Sequence, residues 1–165
     1  MKNLKTLFLI LIIAHMAVIF AFSSQAGEDS SKLSGYVVSE QKKVTKKISE
    51  NVTDYGITYI DDFIAENVRS MAHCFLYSVL AILIFTELRL RGVRDFRTAA
   101  LSIALCCFYG LTDEFHQSFV PDRESTLWDV AADTGGAAAG VVICFIVIKV
   151  YNIVMARKTD YKGNN

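Results

Sequence analysis

No surplus of charge marks this chain: 17 Lys and Arg stand against 17 Asp and Glu. That balance removes the bulk electrostatic argument for nucleic acid as a partner. No cysteine pair has C-x-x-C spacing. The four cysteines, Cys74, Cys106, Cys107 and Cys144, all fall inside apolar stretches and read as buried thiols rather than disulfides or a zinc site. An H-E-x-x-H motif, a Ser-centred nucleophile elbow, a Gly-rich phosphate loop and a cofactor fingerprint are all missing, so cofactors stay unassigned. There is no internal repeat and no low-complexity tract.

What is present is apolar and segmented. Hydrophobic residues make up 53% of the chain and the mean hydropathy is +0.35, too high for an ordinary soluble domain. Four spans are expected, at about 6–22, 70–88, 98–120 and 130–151, in a single domain covering 1–165. The third is unusual. Its apolar run, Thr98 to Leu111, reaches only about 21 Å at about 1.5 Å per residue, against a hydrocarbon core of roughly 30 Å. The helix must therefore continue towards Pro121 and carry Asp113, Glu114, His116 and Gln117 to membrane depth, where ionisable groups mark functional sites by default.

Basic residues set the expected orientation. Lys2 and Lys5 precede the first span, Arg89, Arg91, Arg94 and Arg97 fill the second connection, and Lys149, Arg157, Lys158 and Lys162 end or follow the last. The positive-inside rule places all three groups in the cytoplasm. The expected fold is an all-α, four-helix transmembrane bundle, N-in and C-in, with connections 23–69 and 120–129 outside. Trp128 and Tyr151 stand at opposite ends of the last span, as interfacial aromatics do. A rival reading of the N-terminus is a cleaved signal peptide ending near Ser24-Gln25-Ala26, although its apolar run exceeds the usual 7–15 or so residues.

The outer loop, 23–69, repeats apolar residues at helical spacing (Leu33, Val37, Val44, Ile48, Val52, Tyr55, Tyr59 and Phe63), with Lys42, Lys43, Lys46 and Lys47 on the other face of its middle part. This predicts an amphipathic helix on the outer leaflet or over the bundle mouth, acting as a plain cover or as a lid or partner-binding element, with Gly56 dividing it. Asn51-Val52-Thr53 matches a glycosylation sequon, a pattern common by chance.

Three polar stripes converge towards the outer side. On a helical wheel Tyr109, Asp113, His116 and Gln117 share one face, flanked by Glu114, while Phe108, Leu111, Phe115 and Phe119 take the other. Glu66, Arg69, His73 and Tyr77 follow i, i+3/i+4 spacing on the second span. Asp129, Asp133, Gly136, Gly140 and Cys144 share a face of the last, and Gly136-x3-Gly140 is the small-xxx-small pattern of close helix approach. Ser23, Ser24, Gln25 and Arg123 fall at the same level. Arg69 and Arg123 then oppose Asp113, Glu114, Asp129 and Asp133, and the negative excess calls for protonated carboxylates, charged histidines or a bound cation.

Four readings of this cluster stay open: an internal ion-pair network, a ligand pocket, an acid/base enzyme, or a metal site built on Asp113, Glu114, His116 and His73. In the enzymatic reading a pair such as His116 with Asp129 acts as general base, and Arg69 and Arg123 grip a phosphate or carboxylate. His15, alone in the first span, reads as a packed helix histidine.

These residues resemble the VanZ-like family of small bacterial membrane proteins in four blocks: Ser23-Ser24-Gln25 with Ser30-Ser31; Val68 to Tyr77, including Arg69, His73 and Tyr77; Asp113 to Arg123, the most specific; and Asp129 to Gly136 with Gly140. Asp122 replaces the family's usual glycine, and Asp133 an asparagine of many members. The resemblance implies a multi-pass protein of the bacterial plasma membrane, with Arg69, His73, Tyr77, Asp113, Glu114, His116, Gln117, Arg123 and Asp129 as the functional set. The family's name-giving member is tied to teicoplanin resistance. The first functional expectation is a protein that binds or modifies a phosphate- or carboxylate-bearing envelope lipid or cell-wall precursor, with catalytic candidates His116, Asp113, Glu114 and Asp129. Ligand contacts would come from Arg69, His73, Tyr77, Gln117, Arg123, Asp133, Ser24 and Gln25. The alternative is a non-enzymatic membrane protein with a structural buried network, acting through a partner at its outer loop.

Overall fold

The structure is a computed structural model that describes residues 2–25, 35–41, 43–44, 54–121 and 126–163. Every regular element in these residues is helical. The long helices are α1 (Lys2–Ser23), α3 (Asp54–Leu90), α4 (Asp95–Gln117) and α5 (Leu127–Gly163), with a short helical stretch, α2, at 35–41.

Among the described residues three stretches are long and apolar enough to cross a membrane: Asn3–Ser23 (21 residues), Asn67–Leu90 (24 residues) and Leu127–Lys158 (32 residues). α4 does not reach their apolarity, because Tyr109, Thr112, Asp113, Glu114, His116 and Gln117 crowd its C-terminal part. α3 begins well before the expected 70 and α5 runs past 151. The reason is that helix propagation costs little once a helix is nucleated, and the chain's one proline, Pro121, lies outside both. Gly56 falls in the first turn of α3 and divides nothing. The sequon, Arg123 and residues 33–34, 42 and 45–53 of the predicted amphipathic segment lie outside the described residues, and its last part, 54–63, is the start of α3.

Contacts set the directions of the helices. Gly136 of α5 sits against the backbone of Cys74 and Gly140 against that of Ser78, so close that a Cβ on either glycine would enter the α3 carbonyl. The pairs advance together, so α3 and α5 run parallel. The small-xxx-small face therefore does what its spacing implies, and α3–α5 is the most extensive contact in the molecule. Tyr109 donates to the Met16 carbonyl at 2.7 Å and Ser24 meets His116, making α1 and α4 parallel. Arg69 meets Gln117, and Tyr77 lies beside Gly110, making α3 and α4 antiparallel. Both chain ends and the α3–α4 turn therefore share one end of the molecule.

An apolar core fills the middle: Ile19, Tyr77, Leu80, Ala81, Ile84, Phe85, Ala99, Cys106, Ala137 and Val141. His15 packs as expected, its Nε2 donating to the Leu76 carbonyl at 2.9 Å. All four cysteines are free thiols; Cys106 is buried and the others half-buried. The outward faces are largely apolar, with Ile10 and Ile13 on α1, Phe108 and Phe115 on α4, and Ile146 and Val150 on α5 all exposed. In water such a surface aggregates, whereas in a bilayer it is the solvated side. Trp128 and Tyr151 are both exposed and, by helix rise, stand about 35 Å apart, close to the spacing of the two bilayer interfaces.

Candidate functional site

At the end away from the termini, polar side chains from α1, α3, α4 and α5 close over the core. Asp113, Asp133 and Gln117 are only 3%, 2% and 1% exposed, and Tyr77 and Ser23 are fully buried. Helix faces bring them there: the α4 stripe turns inward while Phe108, Leu111, Phe115 and Phe119 point out, as the wheel predicts.

The centre of the site is a relay. Arg69 Nη2 donates to Gln117 Oε1 at 3.0 Å, and Gln117 Nε2 donates to Asp113 Oδ2 at 3.0 Å. The amide orientation follows from its neighbours, since a guanidinium only donates and a carboxylate accepts. A half-buried cation is thus tied to a buried carboxylate through one amide. His73 Nδ1 approaches Asp133 Oδ2 at 3.8 Å, a close pair but beyond hydrogen-bond length.

His116 stands at the α1 side. Its ring stacks on Phe20 at 4.4 Å between centroids, and Nε2 meets Ser24 Oγ at 3.1 Å. Ser24 spends its only proton on the Phe20 carbonyl at 2.6 Å, so Nε2 is the donor and Nδ1 of the neutral ring is left as an acceptor. Gln25 follows, its backbone N–H on the Phe22 carbonyl.

Glu114 and Asp129 have structural partners. Thr126 precedes the first turn of α5. Its N–H donates to Glu114 Oε2 at 2.9 Å, its hydroxyl donates to Asp129 Oδ2 at 2.9 Å, and it accepts from the Asp129 N–H at 3.3 Å. This is a capping box whose second half is supplied by another helix, and it sets two carboxylates against the positive end of α5. His116 meets Ser24 and Asp129 meets Thr126 rather than each other, and among the described residues the histidine–carboxylate pair is His73–Asp133. Thr126 went unread although Thr126-x-x-Asp129 carries the capping spacing. Ser23, beside the selected Ser24, is the buried one of the two.

Four buried polar atoms here have no hydrogen-bond partner among the described residues: Ser23 Oγ, Tyr77 Oη, Asp113 Oδ1 and Asp133 Oδ1. Among the described residues no three His, Cys, Asp or Glu side chains are grouped to hold a metal ion.

Long apolar helices and a buried polar cluster at one end of them define a helical membrane protein. A family model described as VanZ/LLP1 matches residues 8–148, and the chain belongs to that family. No curated protein and no solved structure matches it.

Proposed function

We propose that this chain is a single-domain, four-span protein of the bacterial plasma membrane, its termini cytoplasmic and its polar cluster towards the outer side. In this reading α4 is the fourth span: its 23 residues reach about 34 Å, and Leu101, Leu105, Phe108, Leu111 and Phe115 line its exposed side. The cluster binds the polar group of an envelope lipid or cell-wall precursor, and through it the protein alters teicoplanin susceptibility. The observation that carries this reading is the set of unpartnered atoms. A buried polar atom without a hydrogen bond costs about 1–3 kcal/mol, and four lie at one end of the molecule. A ligand with an anionic oxygen to accept from Arg69 and from the Ser23 and Tyr77 hydroxyls, and with hydroxyl or amine donors for Asp113 and Asp133, relieves them. His116, whose Nδ1 is the acceptor nitrogen of the neutral ring, is the group placed to take a proton should the bound component react.

A second reading, a structural network working through a partner at the outer loop, draws support from Glu114 and Asp129, which already serve the start of α5.

The test is native mass spectrometry of the detergent-purified protein beside His116→Ala and Asp113→Asn. The binding reading expects a co-purified envelope component on the wild type that folded variants lose, together with loss of any teicoplanin phenotype. A ligand-free wild type whose variants leave the membrane, as stranded buried charges costing about 3–5 kcal/mol would cause, overturns it in favour of the structural network.

A further inference from the structure

The opposite end of the molecule holds a basic feature that the polar cluster does not use. α3 stops in a Schellman turn: Gly92, at φ +92°, donates to the Arg89 carbonyl at 3.0 Å, and Val93 to that of Leu88 at 3.0 Å. The turn into α4 frames a surface pocket of about 880 Å³ lined by Arg91, Arg94, Arg97, Phe96 and Leu101. Its three arginines are not equivalent. Arg91 is committed, its Nε and Nη2 lying 2.7 and 2.6 Å from Glu87 Oε1. Arg94 and Arg97 are exposed and have no acidic partner among the described residues. Across 87–97, four arginines stand against Glu87 and Asp95, so the site is net positive.

The pocket's apolar side is as informative. Phe96 is 80% exposed, and Leu101 begins an outward strip that continues through Leu105 and Phe108 along α4. Two guanidinium groups with no acidic partner among the described residues, at the head of an apolar strip, match an anionic phosphate joined to hydrocarbon. Guanidinium forks suit phosphate oxygens, and basic pockets at the membrane border take anionic headgroups. We propose that this pocket binds an anionic phospholipid, with Arg94 and Arg97 on the headgroup phosphate and Phe96 and Leu101 against the first part of an acyl chain. The assignment needs the molecule to sit in a membrane but is independent of any ligand at the other end.

The test titrates the full-length protein in neutral detergent with phosphatidylglycerol, phosphatidylcholine or inorganic phosphate, reading bound lipid by native mass spectrometry. Phosphatidylglycerol should bind and phosphatidylcholine should not. Arg94→Gln with Arg97→Gln should weaken phosphatidylglycerol by about 30-fold, a factor of about five for each basic group near an anionic surface. Arg157→Gln with Lys158→Gln should change it less than about threefold, because those residues lie outside the pocket. Equal binding of the two lipids by the wild type overturns the proposal without any variant. An equal loss in the Arg157/Lys158 pair shows diffuse surface charge and overturns it too. Inorganic phosphate occupying the pocket as well as phosphatidylglycerol makes it a soluble-anion site and rejects the lipid.

Discussion

Tyr77 carries the clearest conflict between stability and use. Its ring is fully buried in the core, yet its hydroxyl has no partner among the described residues. A hydroxyl kept only for stability would be bonded. Tyr77→Phe removes the unsatisfied atom and keeps the ring contact with Tyr109, centred 6.0 Å away. Unfolding in detergent should show stability unchanged or raised by about 1 kcal/mol, while any bound envelope component is lost. A fall of more than about 1 kcal/mol would mean the hydroxyl is bonded inside the protein, and Tyr77 would leave the proposed site. The composition of this cluster was legible because ionisable residues at membrane depth have so few reasons to be there. Their division of labour was not. Helical periodicity tells which face a residue takes, not which helix end it meets, so the bond between Glu114 and the start of α5 is not visible in it.

At the scale of the element, the α3–α5 contact depends on two missing side chains. Gly136 and Gly140 touch backbone, not flexible side-chain ends, so a new Cβ can be relieved only by moving a helix. Gly136→Ala should destabilise the protein by about 1–3 kcal/mol. The neighbouring Gly135 has nothing within contact range, and Gly135→Ala should be neutral or gain about 0.5–1 kcal/mol from helix propensity. Steric-trap or detergent unfolding of the two variants checks the pair; equal effects would remove close backbone approach as the reason for Gly136. This interface was readable in advance because small-xxx-small spacing states a geometry directly. Helix lengths were not, since hydropathy reports where lipid begins and says little about where a helix stops: α3 starts at Asp54 among charged residues that a bilayer criterion discards.

For the whole molecule, the contacts leave a single binary choice. α1 runs with α4, α3 runs with α5, and the two pairs oppose each other, so fixing the side of one residue fixes all the spans. Charge makes that choice. One end holds Lys5, Arg89, Arg91, Arg94, Arg97, Lys149, Arg157 and Lys158. On the other side Arg69 and Arg123 lie in or beside the spans and Lys32, Lys42, Lys43, Lys46 and Lys47 are spread through the long connection, a lower density than at the first end. The first group should therefore face the cytoplasm and the polar cluster the outside. Single cysteines at Tyr36 and Lys158, both exposed positions, turn this into a labelling experiment with a membrane-impermeant maleimide. In intact cells Tyr36→Cys should react and Lys158→Cys should not, with the second appearing only after permeabilisation. The reverse pattern would invert the molecule, put the cluster in the cytoplasmic half and remove extracytoplasmic precursors from its candidate ligands. Labelling of both sites in intact cells would break the coupling between helix directions, and with it the assignment of α4 as a span.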